Sequence, residues 1–225
     1  MLKRVISDYG AHLSGAKIKE FEADDPLSGN LLRQRLYEVN SERIILFAVP
    51  AIILSVIFAA VTVVSMKAES ITQSVFALAG LLTITVGCGG CGVMVYREYK
   101  KRRPDLNKSE KLTFVFWAAF SVAMLLLALS DFSVNIFTYR FYLYLIIMTV
   151  VPLLNLKKSL IIIGSFLAVL IILGCVFGAD ILVLALSVVS SFAYLIISSL
   201  VYSSFCCLFI SDRQLNTANE RCRQI

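Results

Sequence analysis

The chain has a single histidine, His12, standing among polar residues with no adjacent ligand cluster, which removes a histidine-based metal centre from consideration. It has no Walker loop, no H-E-x-x-H and no G-x-S-x-G, so the common signatures of nucleotide hydrolysis, zinc proteolysis and serine hydrolysis are missing. Acids and histidines do not gather within the apolar stretches, as a proton-coupled pump or an intramembrane protease would need. No small-residue cleavage pattern follows the first apolar run, and more than forty mostly polar residues precede it, so no secretory leader is expected. Of six cysteines, Cys88, Cys91, Cys175, Cys206 and Cys207 fall in apolar stretches and Cys222 in the tail, which argues against a disulfide framework.

What the chain does have is hydrocarbon. Of its 225 residues 59% are apolar and the mean hydropathy is +0.84, against about 45–50% apolar in soluble domains. Six stretches approach the roughly 20 apolar residues that cross a bilayer as a helix: 44–65, 71–96, 112–130, 136–154, 160–178 and 181–210. The expected fold is therefore all-α: a polytopic bundle of six transmembrane helices over 44–210, preceded by a cytoplasmic segment, 1–43, and followed by a cytoplasmic helix stub, 211–225.

Lysine and arginine orient it. Seven lie in residues 1–43, seven in 97–111, two at Lys157 and Lys158, and three in the tail, against Lys67 and Arg140 on the other side. The positive-inside rule then places both termini in the cytoplasm of a bacterial inner membrane. The net charge of +6 reads as an orientation signal and a contact with anionic headgroups, with the lipid bilayer as partner and no role for nucleic acid. The outer connections, 66–70, 131–135 and 179–180, are too short for an extracellular ligand-binding domain. They force antiparallel hairpins, and no other internal repeat is visible. Any stimulus is then lipid-borne, small enough to enter the bundle, or a property of the membrane.

Residues 1–25 read as weakly ordered. Beyond Pro26, Leu32, Leu36 and Val39 put an apolar stripe on a short helix with Arg33, Arg35, Glu38 and Glu42 around it. This juxtamembrane helix is expected to lie on the inner membrane surface before turning into the first span.

Cys88 and Cys91 form a C-x-x-C inside the second span. The same run contains two small-xxx-small pairs, Gly87 with Cys91 and Cys88 with Gly92, which favour close helix approach over a metal, redox or lipidation site. Near the outer face, Glu69, Asp131 and Asp180 occupy the connections, and Arg140 sits among Tyr139, Tyr142 and Tyr144. Arg140 either snorkels within an aromatic belt and pairs with Asp131 or lines a ligand pocket. On the sixth span, Ser187, Ser191, Tyr194, Ser198 and Tyr202 form one polar stripe, suited to interhelical hydrogen bonding or to a solute path. Trp117 reads as a packing or interface residue.

The sixth span runs without a turn signal into SDRQLNTANERCRQI. Leu208, Ser211, Leu215, Ala218, Cys222 and Ile225 fall at a/d spacing, which predicts a short two-stranded coil and a homodimer. The entry sequence LYEVNSERIILF (36–47), Asp131 and the exit LNTANERCRQI (215–225) resemble the N-terminal membrane sensor of bacterial GGDEF diguanylate cyclases over about two dozen residues. That resemblance implies a dimeric sensory module whose last helix drives a cytoplasmic output domain. The D-x-L-T-G-L-x-N-R-R type segment and the GGDEF loop do not occur in these 225 residues, so no catalytic residue carries over and no enzyme activity or cofactor is expected. The competing class is a vitamin-type binding subunit of an energy-coupling transporter, which would hold its solute with interior polar residues. A third is a structural subunit of a larger membrane complex.

Overall fold

The computed structural model describes residues 26–64, 71–101, 104–132, 139–176, 178 and 181–223. The regular structure among them is entirely helical: α1 (Pro26–Val64), α2 (Ile71–Leu82), a π-helical segment (Thr83–Cys88), α3 (Gly89–Tyr99), α4 (Leu106–Phe132), α5 (Tyr139–Val150), α6 (Leu156–Val176) and α7 (Ile181–Arg223). Among the described residues five helices are long and apolar enough to cross a membrane, with α2, the π segment and α3 counting as one rod. The chain is a multi-pass membrane protein. Its outward-facing Val49, Ile53, Ile57, Val61, Leu186 and Val189 are all about half exposed or more, which suits contact with lipid tails.

In the fourth stretch, 136–154, the described residues form α5, 12 residues or about 18 Å long, and 136–138 lie outside them. Its helix stops before Pro152, which cannot donate the next helical hydrogen bond. One expectation changes: no juxtamembrane helix turns aside onto the membrane surface, because Pro26–Val64 is one helix of 39 residues. The stripe that was to face the membrane surface packs instead on α7: Leu32 and Cys206 are buried together, with Leu36, Tyr202, Phe205 and Phe209 around them. Residues 1–25 and the connections 65–70 and 133–138 lie outside the described residues.

Helix α4 is the hub. Half of its apolar window is buried, against 17% for α1, and it touches α1, α2, α3, α5 and α6. Phe116, Trp117, Phe120 and Met124 line its inner face at helical spacing. Trp117 is fully buried, with Phe47, Phe116 and Phe120 at ring-centroid distances of 5.6, 5.0 and 5.9 Å. Tyr144 stacks on Phe166 at 4.1 Å and joins its hydroxyl to Ser121 at 2.9 Å. This fits the packing role expected of Trp117.

Small residues set how closely the first helices approach. A Cβ on Gly92 would stand 3.3 Å from Ala48 Cβ, so the glycine and cysteine run does pack α3 on α1. The tightest approach is at Gly80, where a Cβ would come within 2.8 Å of Leu127 and 2.9 Å of the Ala123 carbonyl. Between the two glycines, Ser55 and Thr85 hydroxyls meet at 2.7 Å across α1 and the π segment. Gly178, at φ +70°, takes the left-handed conformation between α6 and α7 that other residues resist.

Candidate functional site

One end of the bundle, here the terminal end, gathers the start of α1, the α3–α4 turn, the segment between α5 and α6, and the far half of α7. Local sequence builds it. Asp105 Oδ1 accepts the backbone N–H groups of Asn107 and Lys108 and caps α4, and Asn155 Oδ1 accepts that of Lys158 and caps α6. These caps aim Glu110 and Lys158, each in the first turns of its helix, at the same space.

Asn40 ties α1 to the irregular segment after α5. Its amide nitrogen donates to the Leu153 carbonyl at 3.1 Å and its oxygen accepts from the Leu153 N–H at 2.8 Å, so the backbone freed by Pro152 is satisfied by a side chain. Beside it Arg43 donates to the Val150 and Val151 carbonyls at 3.1 and 3.2 Å, the favoured cation position at a helix C-terminus. Two residues beyond the apolar stretch that ends at Tyr96, the Glu98 side chain is 4% exposed and meets Lys101 at 2.6 Å and Lys108 at 3.7 Å. The hydrogen-bonded Lys101 ammonium holds its carboxyl below the usual carboxylate range.

A cavity of about 540 Å³ opens between these elements. Its charged lining is Arg33 from α1, Glu110 from α4 and Lys158 from α6, while Tyr202 brings α7 to the wall. Arg33 donates to Asn107 at 3.2 Å and to Glu110 at 3.5 Å, and Lys158 donates to the other Glu110 oxygen at 3.2 Å. Tyr37 also lines the cavity, and its buried hydroxyl has no hydrogen-bond partner among the described residues. Two cations share one carboxylate, so the cavity carries a positive excess.

No family model matches the chain, and no curated protein or solved structure does either.

Of the residues singled out from sequence, Tyr202 lines this cavity and the sixth-span serines do not. Ser187, Ser191 and Ser198 form a buried line on α7, joined by Ser199 and Ser203. Ser198 meets Ser159 of α6 at 3.4 Å, the outer limit of a hydroxyl contact. Ser191 Oγ is buried without a partner among the described residues. Tyr194 is half-buried against the main core, and Tyr142 is half-buried with its ring 5.5 Å from Phe141. Asp131 closes α4 and Arg140 opens α5, but their side chains, and so their expected pairing, lie outside the described residues. In the heptad, Leu208 is 66% exposed and Leu215 62%, the Ala218 and Cys222 side chains lie outside the described residues, and so does Ile225 altogether.

Sequence reasoning missed Arg33, Asn40, Glu110 and Lys158, which looked like ordinary surface charge or orientation signal. Asn155 just ahead of Lys157 and Lys158 is a helix-start signal that would have put Lys158 on the first turn of its helix. Nothing local points to their meeting with Arg33, 125 positions before Lys158.

Proposed function

We propose that this chain is a membrane-embedded input module that acts through α7 on a cytoplasmic output domain or partner. One observation carries the reading: α7 is a single helix of 43 residues, about 64 Å long and twice the roughly 30 Å hydrocarbon layer. The same rod presents a buried serine line to the bundle, a cavity wall at Tyr202, and uncovered Leu208 and Leu215 beyond it. A displacement at the serines or the cavity reaches the far end without crossing a joint. The basic terminal end faces the cytoplasm by the positive-inside rule, six crossings count α5 within the fourth, and Leu208, Leu215, Ala218, Cys222 and Ile225 pair with a second copy. The resemblance to sensor regions of GGDEF diguanylate cyclases supports this role, and the chain itself is then no enzyme.

The phase of the rod tests it. With a diguanylate cyclase domain fused after Ile225, inserting four residues between Ser211 and Leu215 rotates the output by about 40°, whereas seven nearly keep the seam. The expected outcome is a large change of activity with four and a small one with seven; equal tolerance overturns the reading.

One observation favours the transporter alternative, the buried Ser191 hydroxyl, which has no partner among the described residues. If the serine line holds a solute, Ser191→Leu and Ser198→Leu abolish uptake while both insertions are tolerated.

A further inference from the structure

Next to the polar cavity, along the same two helices, lies an apolar groove. On α4, Glu110 at the cavity begins a stripe carried on by Phe114, Ala118, Val122 and Leu125. On α6, Lys158 begins a matching stripe through Ile161, Ser165 and Val169. Residues spaced three and four apart share a helix face, so both stripes lie along the same pair of helices in consecutive turns. Between them is an apolar groove of about 310 Å³. Its two hydroxyls are already engaged, Ser121 with the Trp117 carbonyl and Tyr144, Ser165 with the Ile162 carbonyl, so nothing there calls for a polar ligand.

Length and charge agree on an occupant. From Lys158 to Val169 the α6 stripe runs about 16 Å at 1.5 Å per residue, close to one leaflet of a hydrocarbon core about 30 Å thick. At its polar end stand the two cations and the single carboxylate. The contacts of Glu110 to Arg33 and Lys158, 3.5 and 3.2 Å, are longer than the roughly 2.7–2.9 Å of a close charge-assisted bond, and all three side chains are a third or more exposed. Such pairs exchange readily for a better acceptor. A phosphodiester offers one, with a planar guanidinium on one side and an ammonium on the other.

We propose that cavity and groove form one site for an anionic membrane phospholipid, with its phosphate between Arg33 and Lys158 and one acyl chain along the α4–α6 groove. Glu110 is then an internal competitor that bridges the cations until the phosphate displaces it. The headgroup lies against Arg33 of α1, Glu110 of α4, Lys158 of α6 and Tyr202 of α7, so a single lipid touches the four helices that build this end. The binding claim stands whether or not α7 transmits a signal.

Native mass spectrometry of the full chain, titrated with phosphatidylglycerol, with phosphatidylcholine of the same chains and with inorganic phosphate, tests the site. Phosphatidylglycerol is expected to bind roughly tenfold or more tightly than phosphatidylcholine, the size of a lost charge-assisted contact. Replacing both cations, Arg33→Gln with Lys158→Gln, should erase that preference. Glu110→Gln should tighten phosphatidylglycerol binding several-fold, because the competing carboxylate is gone. A purely structural Glu110 would give the opposite sign. Ala118→Trp should weaken both lipids by filling the groove and leave inorganic phosphate untouched. Equal retention of the two lipids, weaker binding in Glu110→Gln, or indifference to Ala118→Trp would each overturn the proposal. Complete displacement of phosphatidylglycerol by equimolar inorganic phosphate would overturn it too, in favour of a free-anion site. Should the double variant fail to fold, the sign of the Glu110→Gln effect still decides.

Discussion

In the middle of the bundle, Trp117, Phe120, Tyr144 and Phe166 close the core with ring contacts, and Gly80 and Gly92 bring helix backbones together. At the terminal end the helices are joined by Arg33, Asn40, Arg43, Glu98, Glu110 and Lys158, through hydrogen bonds and ion pairs between 2.6 and 3.7 Å. Ring contacts and close backbone approach have no substitute in lipid. A side chain that donates to a carbonyl or carboxylate can trade its partner for water, an ion or a headgroup. The middle therefore acts as a fixed frame and the end as the region a ligand can rearrange, which is where elements of low local stability are of use.

The contrast breaks most visibly at Trp117. Trp117→Ala should cost about 3–5 kcal/mol, as removal of a fully buried aromatic does. Thermal unfolding in detergent checks it by circular dichroism, since the substitution removes the only tryptophan. A loss under about 1 kcal/mol would mean the rings do not frame the bundle.

Two substitutions of similar expected size, one in each region, sharpen the comparison. Asn40→Ala leaves both polar groups of the Leu153 peptide without their buried partner, at about 1–3 kcal/mol. Gly80→Ala forces α2 from α4 against Leu127 and the Ala123 carbonyl, also about 1–3 kcal/mol, whereas Gly90→Ala meets nothing within 4 Å and should be neutral. Trp117 emission separates them: Gly80→Ala should shift it toward the red, and Asn40→Ala should not.

A smaller effect is expected at the serine line. Ser159→Ala removes one long hydroxyl contact to Ser198 and should cost about 1 kcal/mol or less. A large loss would mark that contact as part of a tighter network.

The smallest effect belongs to Glu98. Its carboxyl titrates below the usual range, so the stability it contributes is full above the ordinary carboxylate pKa and is lost only as pH falls through the lowered value. Glu98→Gln should lower the melting temperature slightly at neutral pH and low salt, and the difference should shrink in high salt and at strongly acidic pH. A difference that grows with acid would reverse the assignment.

The sequence by itself determined the class of molecule and the course of most helices. Apolar stretches of membrane length have little alternative to helix, because backbone groups in lipid must be satisfied within the segment. Hence 112–130 and 160–178 fall within a few residues of α4 and α6, and the last stretch runs on unbroken into its polar tail. The burial of the serine line on α7 was legible for a related reason, since hydroxyls at helical spacing must turn from the tails. The π turn at Thr83–Cys88, the short α5 and the straight passage of α1 past the apolar boundary depended on neighbours: Ser55 beside Thr85, Asn40 on the chain after Pro152, and Cys206 of α7 under Leu32. The cavity is the extreme case, because Arg33, Glu110 and Lys158 are each ordinary in their own surroundings. Charge sharing among them is a property of distance in space, and only the packing of α1, α4 and α6 brings them within about 3.5 Å of a common carboxylate.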